Sequence, residues 1–134
     1  RLGRIFPGFA ERGGPGACVG GNDAMSMRGA AYQARITGLP RGTAYLANGV
    51  KFDGFANGVL LEAKGMGYAR FVKGGEFRSW WRGADSLVNQ AQRQIGASGG
   101  APIQWHFAEE AAANATRNLF QSRGVRGIDI LITP

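Results

Sequence analysis

Cysteine and histidine are almost missing from this chain: Cys18 and His106 are the single examples among its 134 residues. One cysteine excludes an intrachain disulfide and a cysteine-built zinc cluster, and one histidine excludes a multi-histidine metal site. Cys18 lies in GGPGACVGG with no histidine beside it to take its proton, so it reads as an incidental thiol. No apolar run approaches the roughly 20 residues of a membrane-spanning helix, and no secretory signal pattern opens the chain. It begins at Arg1, which raises the expectation of a fragment of a longer polypeptide whose targeting information lies elsewhere. Acidic residues are scarce, nine against sixteen Lys and Arg, giving a formal charge of +7 and a pI near 10.5. That balance points to a polyanionic partner, nucleic acid first and a membrane surface second, with solubility alone as the plainer reading. The basic residues are dispersed, without the Lys/Arg run of a lipid-binding patch. A length of 134 residues with 44% hydrophobic content provides one folded domain with a real core and excludes two ordinary ones.

Turn chemistry divides the chain. Residues 1–21 carry Pro7, Pro15 and seven glycines and read as a linker or loosely docked arm, leaving 22–134 as the domain. Asn22 or Asp23 caps an expected helix to about Thr37, stopped by Gly38-Leu39-Pro40. Three strands are expected at Thr43–Ala47, Val50–Ala56 and Val59–Lys64, punctuated by Asn48-Gly49 and Asn57-Gly58, the strongest short-range hairpin signal. An aromatic-rich polar segment follows, then a helix capped by Asp85 and running to about Ala97. A strand at Ile103–Phe107, a helix at Glu109–Ser122 stopped by Gly124, and a strand at Ile128–Thr133 complete the order α-β-β-β-α-β-α-β.

The hairpin KFDGFANGVLLEAKG places charges oddly. A two-residue turn at Asn57-Gly58 pairs Ala56 with Val59, Phe55 with Leu60, Gly54 with Leu61, Asp53 with Glu62 and Lys51 with Lys64. The two-residue period puts Val50, Phe52, Gly54, Ala56, Val59, Leu61 and Ala63 on one face, and Lys51, Asp53, Phe55, Leu60, Glu62 and Lys64 on the other. Directly opposed like charges are destabilising. Two carboxylates at such spacing can share a divalent cation, for which oxygen ligands are suited. Lys64, two residues beyond Glu62, emerges beside that position, where an ammonium orients water or stabilises charge on a phosphate in flight. A solvated charged sheet face is the competing reading.

Asp53, eight intervening residues and Glu62-Ala63-Lys64 resemble the PD-(D/E)xK nuclease signature, and the αβββαβ order around them resembles that fold's core. YQARITGLPRGTAYLANGVKFDGF, LLEAKGMGYARF, NQAQRQ, and PIQWHFAE with GIDILITP are together similar to the restriction endonuclease fold toxin 5 family. These are C-terminal nuclease domains of bacterial polymorphic toxins, including type VI secretion effectors. The resemblance implies a PD-(D/E)xK restriction-endonuclease-like α/β fold, a mixed central sheet flanked by helices, with an additional C-terminal helix and strand. It implies a nuclease dependent on Mg²⁺ or Mn²⁺, DNA as the substrate with RNA as the alternative, and a cognate immunity protein. It further implies a secretion carrier or adaptor reached through a preceding segment, and action in the target-cell cytoplasm.

On that resemblance Asp53 and Glu62 hold the metal and Lys64 positions the attacking water or stabilises the transition state. Many nucleases of this fold add a glutamate from the first helix. None stands between Ala24 and Gly38, where Gln33 is the nearest polar side chain, and water or the carbonyl of Ala63 is the substitute. Some branches place a glutamine of the next helix in the site, a position that Gln90 and Gln94 match, flanking a stripe of Leu87, Val88, Ala91 and Ile95. His106 alternates with Ile103, Trp105 and Phe107, and serves either phosphate contact and proton transfer or a structural hydrogen bond. Glu109 and Glu110 suit the positive end of a helix. Lys51, with Arg70, Lys73, Arg78 and Arg82 interleaved among Tyr68, Phe71, Phe77, Trp80 and Trp81, offers a basic and aromatic wall for nucleic acid, aromatic packing over the sheet being the alternative. A silent nucleic-acid-binding module uses the same surface without chemistry.

Overall fold

Two Asn-Gly turns organise the sheets. In the computed structural model, which describes residues 14–20 and 27–134, Asn48, Gly49, Asn57 and Gly58 all have positive φ, between 48° and 78°. That is the backbone of a hairpin turn whose twist matches its strands. The first turn joins β2 (Thr43–Ala47) to β3 (Val50–Phe52), and the second joins β4 (Gly54–Ala56) to β5 (Val59–Lys64). The second hairpin has the expected register, Ala56 with Val59, Phe55 with Leu60 and Gly54 with Leu61.

The expected strand Val50–Ala56 is two strands in two sheets. β3 closes an antiparallel sheet ordered β1-β2-β3, and β4 opens a mixed sheet ordered β4-β5-β8-β9, with β8 at Ile103–Phe107 and β9 at Ile128–Ile132. Lys51 consequently pairs with Leu46 on β2 rather than with Lys64. β1 (Gly16–Gly20) lies in the stretch expected as linker or arm. There glycine permits close strand approach: a Cβ on Gly16 would collide with the Leu46 carbonyl. Cys18 pairs with Tyr45 and is buried, which pushes its thiol pKa up and suits an unreactive side chain. The remainder of that arm, and the expected helix caps Asn22 and Asp23, lie outside the described residues.

β5, β8 and β9 run parallel, so their connections cross over the sheet faces and helices cover them. α1 (Met27–Thr37) packs on β4 and β5, where Gly54 sits so near Thr37 that an added Cβ would lie 2.7 Å from the threonine Cβ. α2 (Gly83–Ala97) and α3 (Glu110–Arg123) cover the other face, which carries Leu60, Trp105 and Phe107. Trp105 meets Phe120 of α3 edge-on at 5.4 Å. α2 begins two residues before the expected cap Asp85. α3 ends as expected at Gly124, φ 68°, with Val125 N–H closing back on the Phe120 carbonyl. The aromatic segment forms a 3₁₀ turn at Ala69–Phe71 and a short hairpin of β6 (Val72–Lys73) and β7 (Glu76–Phe77).

Candidate active site

Asp53 stands at the junction of the two sheets. Its N–H donates to the Leu61 carbonyl at 2.9 Å, yet Leu61 is already the partner of Gly54. Two residues of one strand therefore oppose one of the other, the arrangement of a β-bulge. The bulge removes Asp53 from simple cross-strand pairing with Glu62 and swings its side chain over the end of the ladder. One carboxylate oxygen there accepts the Ala63 N–H at 2.7 Å. Leu60 N–H reaches the Pro102 carbonyl and the Lys64 carbonyl receives Ala108 N–H, so even-numbered residues of β5 bond toward β8. Ala63 turns its backbone groups the other way, toward Asp53.

Glu62 and Lys64 project from β5 beneath α2. Glu62 accepts Gln94 Nε2 at 3.0 Å on one oxygen, and Gln90 Nε2 at 2.7 Å with Lys64 Nζ at 3.2 Å on the other. Lys64 Nζ also donates to Gln90 Oε1 at 2.5 Å and lies 4.7 Å from the Trp105 ring centroid. The Trp105 indole N–H donates to Gln94 Oε1 at 2.8 Å. The charged face is not solvated: Asp53, Glu62 and Lys64 are only 7%, 6% and 7% exposed. Gln94, expected on the helix flank, is fully buried within the apolar stripe because Glu62 and Trp105 satisfy its amide.

Burial raises the Asp53 pKa to about 8, aided by the charge of Glu62 and opposed by the Ala63 N–H, Lys64 and Lys51. Burial acts to lower the Lys64 pKa, but Glu62, Tyr68 and Asp53 outweigh it and hold the amine above its usual range. Lys64 is thus a cation here, a donor rather than a base. A pocket of about 440 Å³ opens onto Asp53, Glu62 and Lys64, with Lys51, Tyr68, Gln90 and Arg93 in its wall.

Gln33 and His106 do not join this cluster. The Gln33 amide donates to the Thr43 carbonyl and ties α1 to β2. His106 alternates to the opposite face of β8 from Trp105, where its ring nitrogens meet Thr133 Oγ1 and Gln104 Oε1 at 2.8 and 3.1 Å. Burial lowers its pKa, as suits a neutral hydrogen-bonded ring. Among the cations, Lys51 lines the pocket, whereas Arg78 and Arg82 line a separate cleft beside α3. Arg70 lies over the Phe71 ring, and Lys73 sits on the β6–β7 hairpin, which β7 packs against α3. The aromatics divide between packing and exposure. Trp81 stacks on Phe71 at 4.5 Å, while Trp80 is 66% exposed.

Arg93 lines the pocket though sequence reasoning passed it over, and Tyr68, expected only in the aromatic wall, lines it too. Arg93 had a legible signal, three positions after Gln90 and so on the same helix flank. Tyr68 is held by a contact that spacing does not reveal: one Glu109 oxygen accepts the N–H groups of Gly67, Tyr68 and Ala69 at 2.9–3.1 Å. Glu109 therefore braces the loop leaving Lys64, a role additional to its place before α3.

Among the described residues no three His, Cys, Asp or Glu side chains converge as metal ligands. The Asp53 and Glu62 carboxylates, which line one pocket, are nevertheless oxygen donors of the kind Mg²⁺ prefers. A cation there would offset both the burial and the Glu62 charge that raise the Asp53 pKa.

A comparison with curated proteins finds no match. The family model described as restriction endonuclease fold toxin 5 matches residues 29–110, more than half the chain, from early in α1 to the first residue of α3. The matched span includes Asp53, Glu62, Lys64, Gln90 and Gln94, and the mixed sheet flanked by helices agrees with its restriction-endonuclease-like fold. The match brings a nuclease-like toxin role in general and a metal-using fold. The chain belongs to the restriction endonuclease fold toxin 5 family.

Proposed function

We propose that this domain is a metal-dependent nuclease that hydrolyses phosphodiester bonds in DNA. It acts as a secreted toxin in the cytoplasm of rival bacteria and is neutralised in the producer by an immunity protein. The observation that carries this reading is the burial of Asp53, Glu62 and Lys64 at one pocket, with the acids close enough to interact and the lysine charged. Asp53, Glu62 and the Ala63 carbonyl would hold Mg²⁺ or Mn²⁺, which supplies Lewis-acid polarisation of phosphate and water. Lys64 donates to the charge that grows on the phosphate oxygens. Lys51 and Arg93, at the pocket wall, receive the flanking phosphates, and Gln90 holds Glu62 and Lys64 in mutual register. Arg70, Lys73, Arg78, Arg82 and exposed Trp80 extend the contact surface for backbone and unstacked bases.

Incubating the purified domain with supercoiled DNA and with total RNA, each with Mg²⁺ and with EDTA, tests the reading. Expected are Mg²⁺-dependent nicking of DNA, its loss in EDTA, and its loss in folded Asp53→Ala, Glu62→Ala and Lys64→Ala. Cleavage of RNA alone would move the substrate. Binding that survives EDTA with no cleavage in Mg²⁺, or full activity of folded Glu62→Ala, would sink the proposal.

A further inference from the structure

An indole nitrogen can only donate a hydrogen bond, and so can an ammonium. Those two facts fix the orientation of both glutamines. Because Trp105 Nε1–H points at Gln94 at 2.8 Å, the amide atom facing it is oxygen, and Nε2 must face Glu62 at 3.0 Å and the Lys51 carbonyl at 3.4 Å. Because Lys64 Nζ points at Gln90 Oε1, Nε2 of Gln90 must face the other Glu62 oxygen. A reversed Gln94 would present its own carbonyl to the carboxylate and leave the indole N–H unpaired in a fully buried place, which is costly. The same indole ring supports Lys64 from below. Its position follows from strand pairing, since Trp105 is the parallel partner of Glu62.

We infer that Trp105 is a positioning residue of this site: its N–H sets the Gln94 amide and its ring seats Lys64, so both Glu62 and Lys64 are aimed through one side chain that does not line the pocket. The inference rests on the nuclease reading of the site. It is tested with Trp105→Phe, which keeps an aromatic ring and removes the N–H. Should that variant not fold, benzothienylalanine at position 105 keeps both rings and still lacks the donor. Phe120→Leu, at the far edge of the same indole, is the control for packing alone.

Expected for Trp105→Phe is a 10- to 100-fold weaker Mg²⁺ affinity by calorimetry without nucleic acid, as for other supports of metal ligands. A comparable fall in kcat should leave KM for DNA within about twofold, because the basic wall is untouched. In the metal-free protein the Gln94 side-chain amide protons should exchange faster by NMR. In a Gln94→Leu background, Trp105→Phe should lose much less Mg²⁺ affinity and kcat than it does alone. Unchanged Mg²⁺ affinity and unchanged Gln94 exchange would overturn the inference, as would equal losses in Phe120→Leu. Wild-type protein that neither binds Mg²⁺ nor cleaves nucleic acid would sink the nuclease reading instead, and the Gln94 exchange would still decide whether Trp105 orients the amide.

Discussion

Asp53 is a buried hairpin residue with an unusual proton balance. Its carboxyl is neutral up to about pH 8 in the folded, metal-free chain and ionises near 3.8 when exposed. Between those values the unfolded state has already lost a proton that the folded state retains, so stability falls as pH rises. The metal-free domain should therefore melt at a lower temperature at pH 8 than at pH 5, and Asp53→Asn should flatten that slope. Mg²⁺ should raise the melting temperature more at pH 8, because a ligand carboxyl must first shed its proton. Thermal melts at both pH values with and without Mg²⁺ check both statements. At this scale the sequence was informative where chemistry is local. Acid, acid and lysine around Asn57-Gly58 pointed to the cluster, and the family resemblance, not spacing alone, pointed to Gln90 and Gln94. It was silent on Glu109, whose partners lie about 40 positions away, and it could not separate His106 from the site without knowing which face of β8 meets α2.

Element boundaries were legible at Asn-Gly, at Gly38-Leu39-Pro40 and at Gly124, and illegible where a strand changes sheets. Val50–Ala56 has unbroken strand character, and nothing local announces that Asp53 leaves the ladder. Gly54 is the one hint, as glycine in a strand often marks a bulge or a close approach. Here it marks both, with Thr37 of α1 against its Cα. Gly54→Ala should push α1 off the sheet and cost about 1–3 kcal/mol, the range of an overpacked core, read as a lower denaturation midpoint with an unchanged urea slope. β1 escaped recognition for a related reason. Its glycines serve tight pairing against β2, but in sequence they look like those of a flexible arm.

At the scale of the molecule, Lys51, Lys64 and Arg93 line the pocket, Lys73 lies on the β6–β7 hairpin, and Arg78, Arg82 and Arg123 line the cleft beside α3. Binding to a noncleavable duplex in EDTA should weaken steeply with salt. Four phosphate contacts predict a loss on the order of 10²-fold between 50 and 200 mM. Fluorescence anisotropy measures it, and a flat salt response would remove these cations from the interface.

The sequence separation of the contacts around the bulge implies an order of events during folding. The two-residue turn that brings the segments carrying Asp53 and Glu62 together closes locally, a step of microseconds. Gln94, Trp105 and the β8 partner of Glu62 arrive only after a long parallel crossover has closed, a contact of high sequence separation that forms late. For that interval the two acids are neighbours in water, unsheltered and without their glutamines. Assembly of the second half of the chain is what turns an ordinary charged hairpin into a dry, aimed constellation, so the capacity for chemistry emerges at the end of folding and not with the residues that carry it.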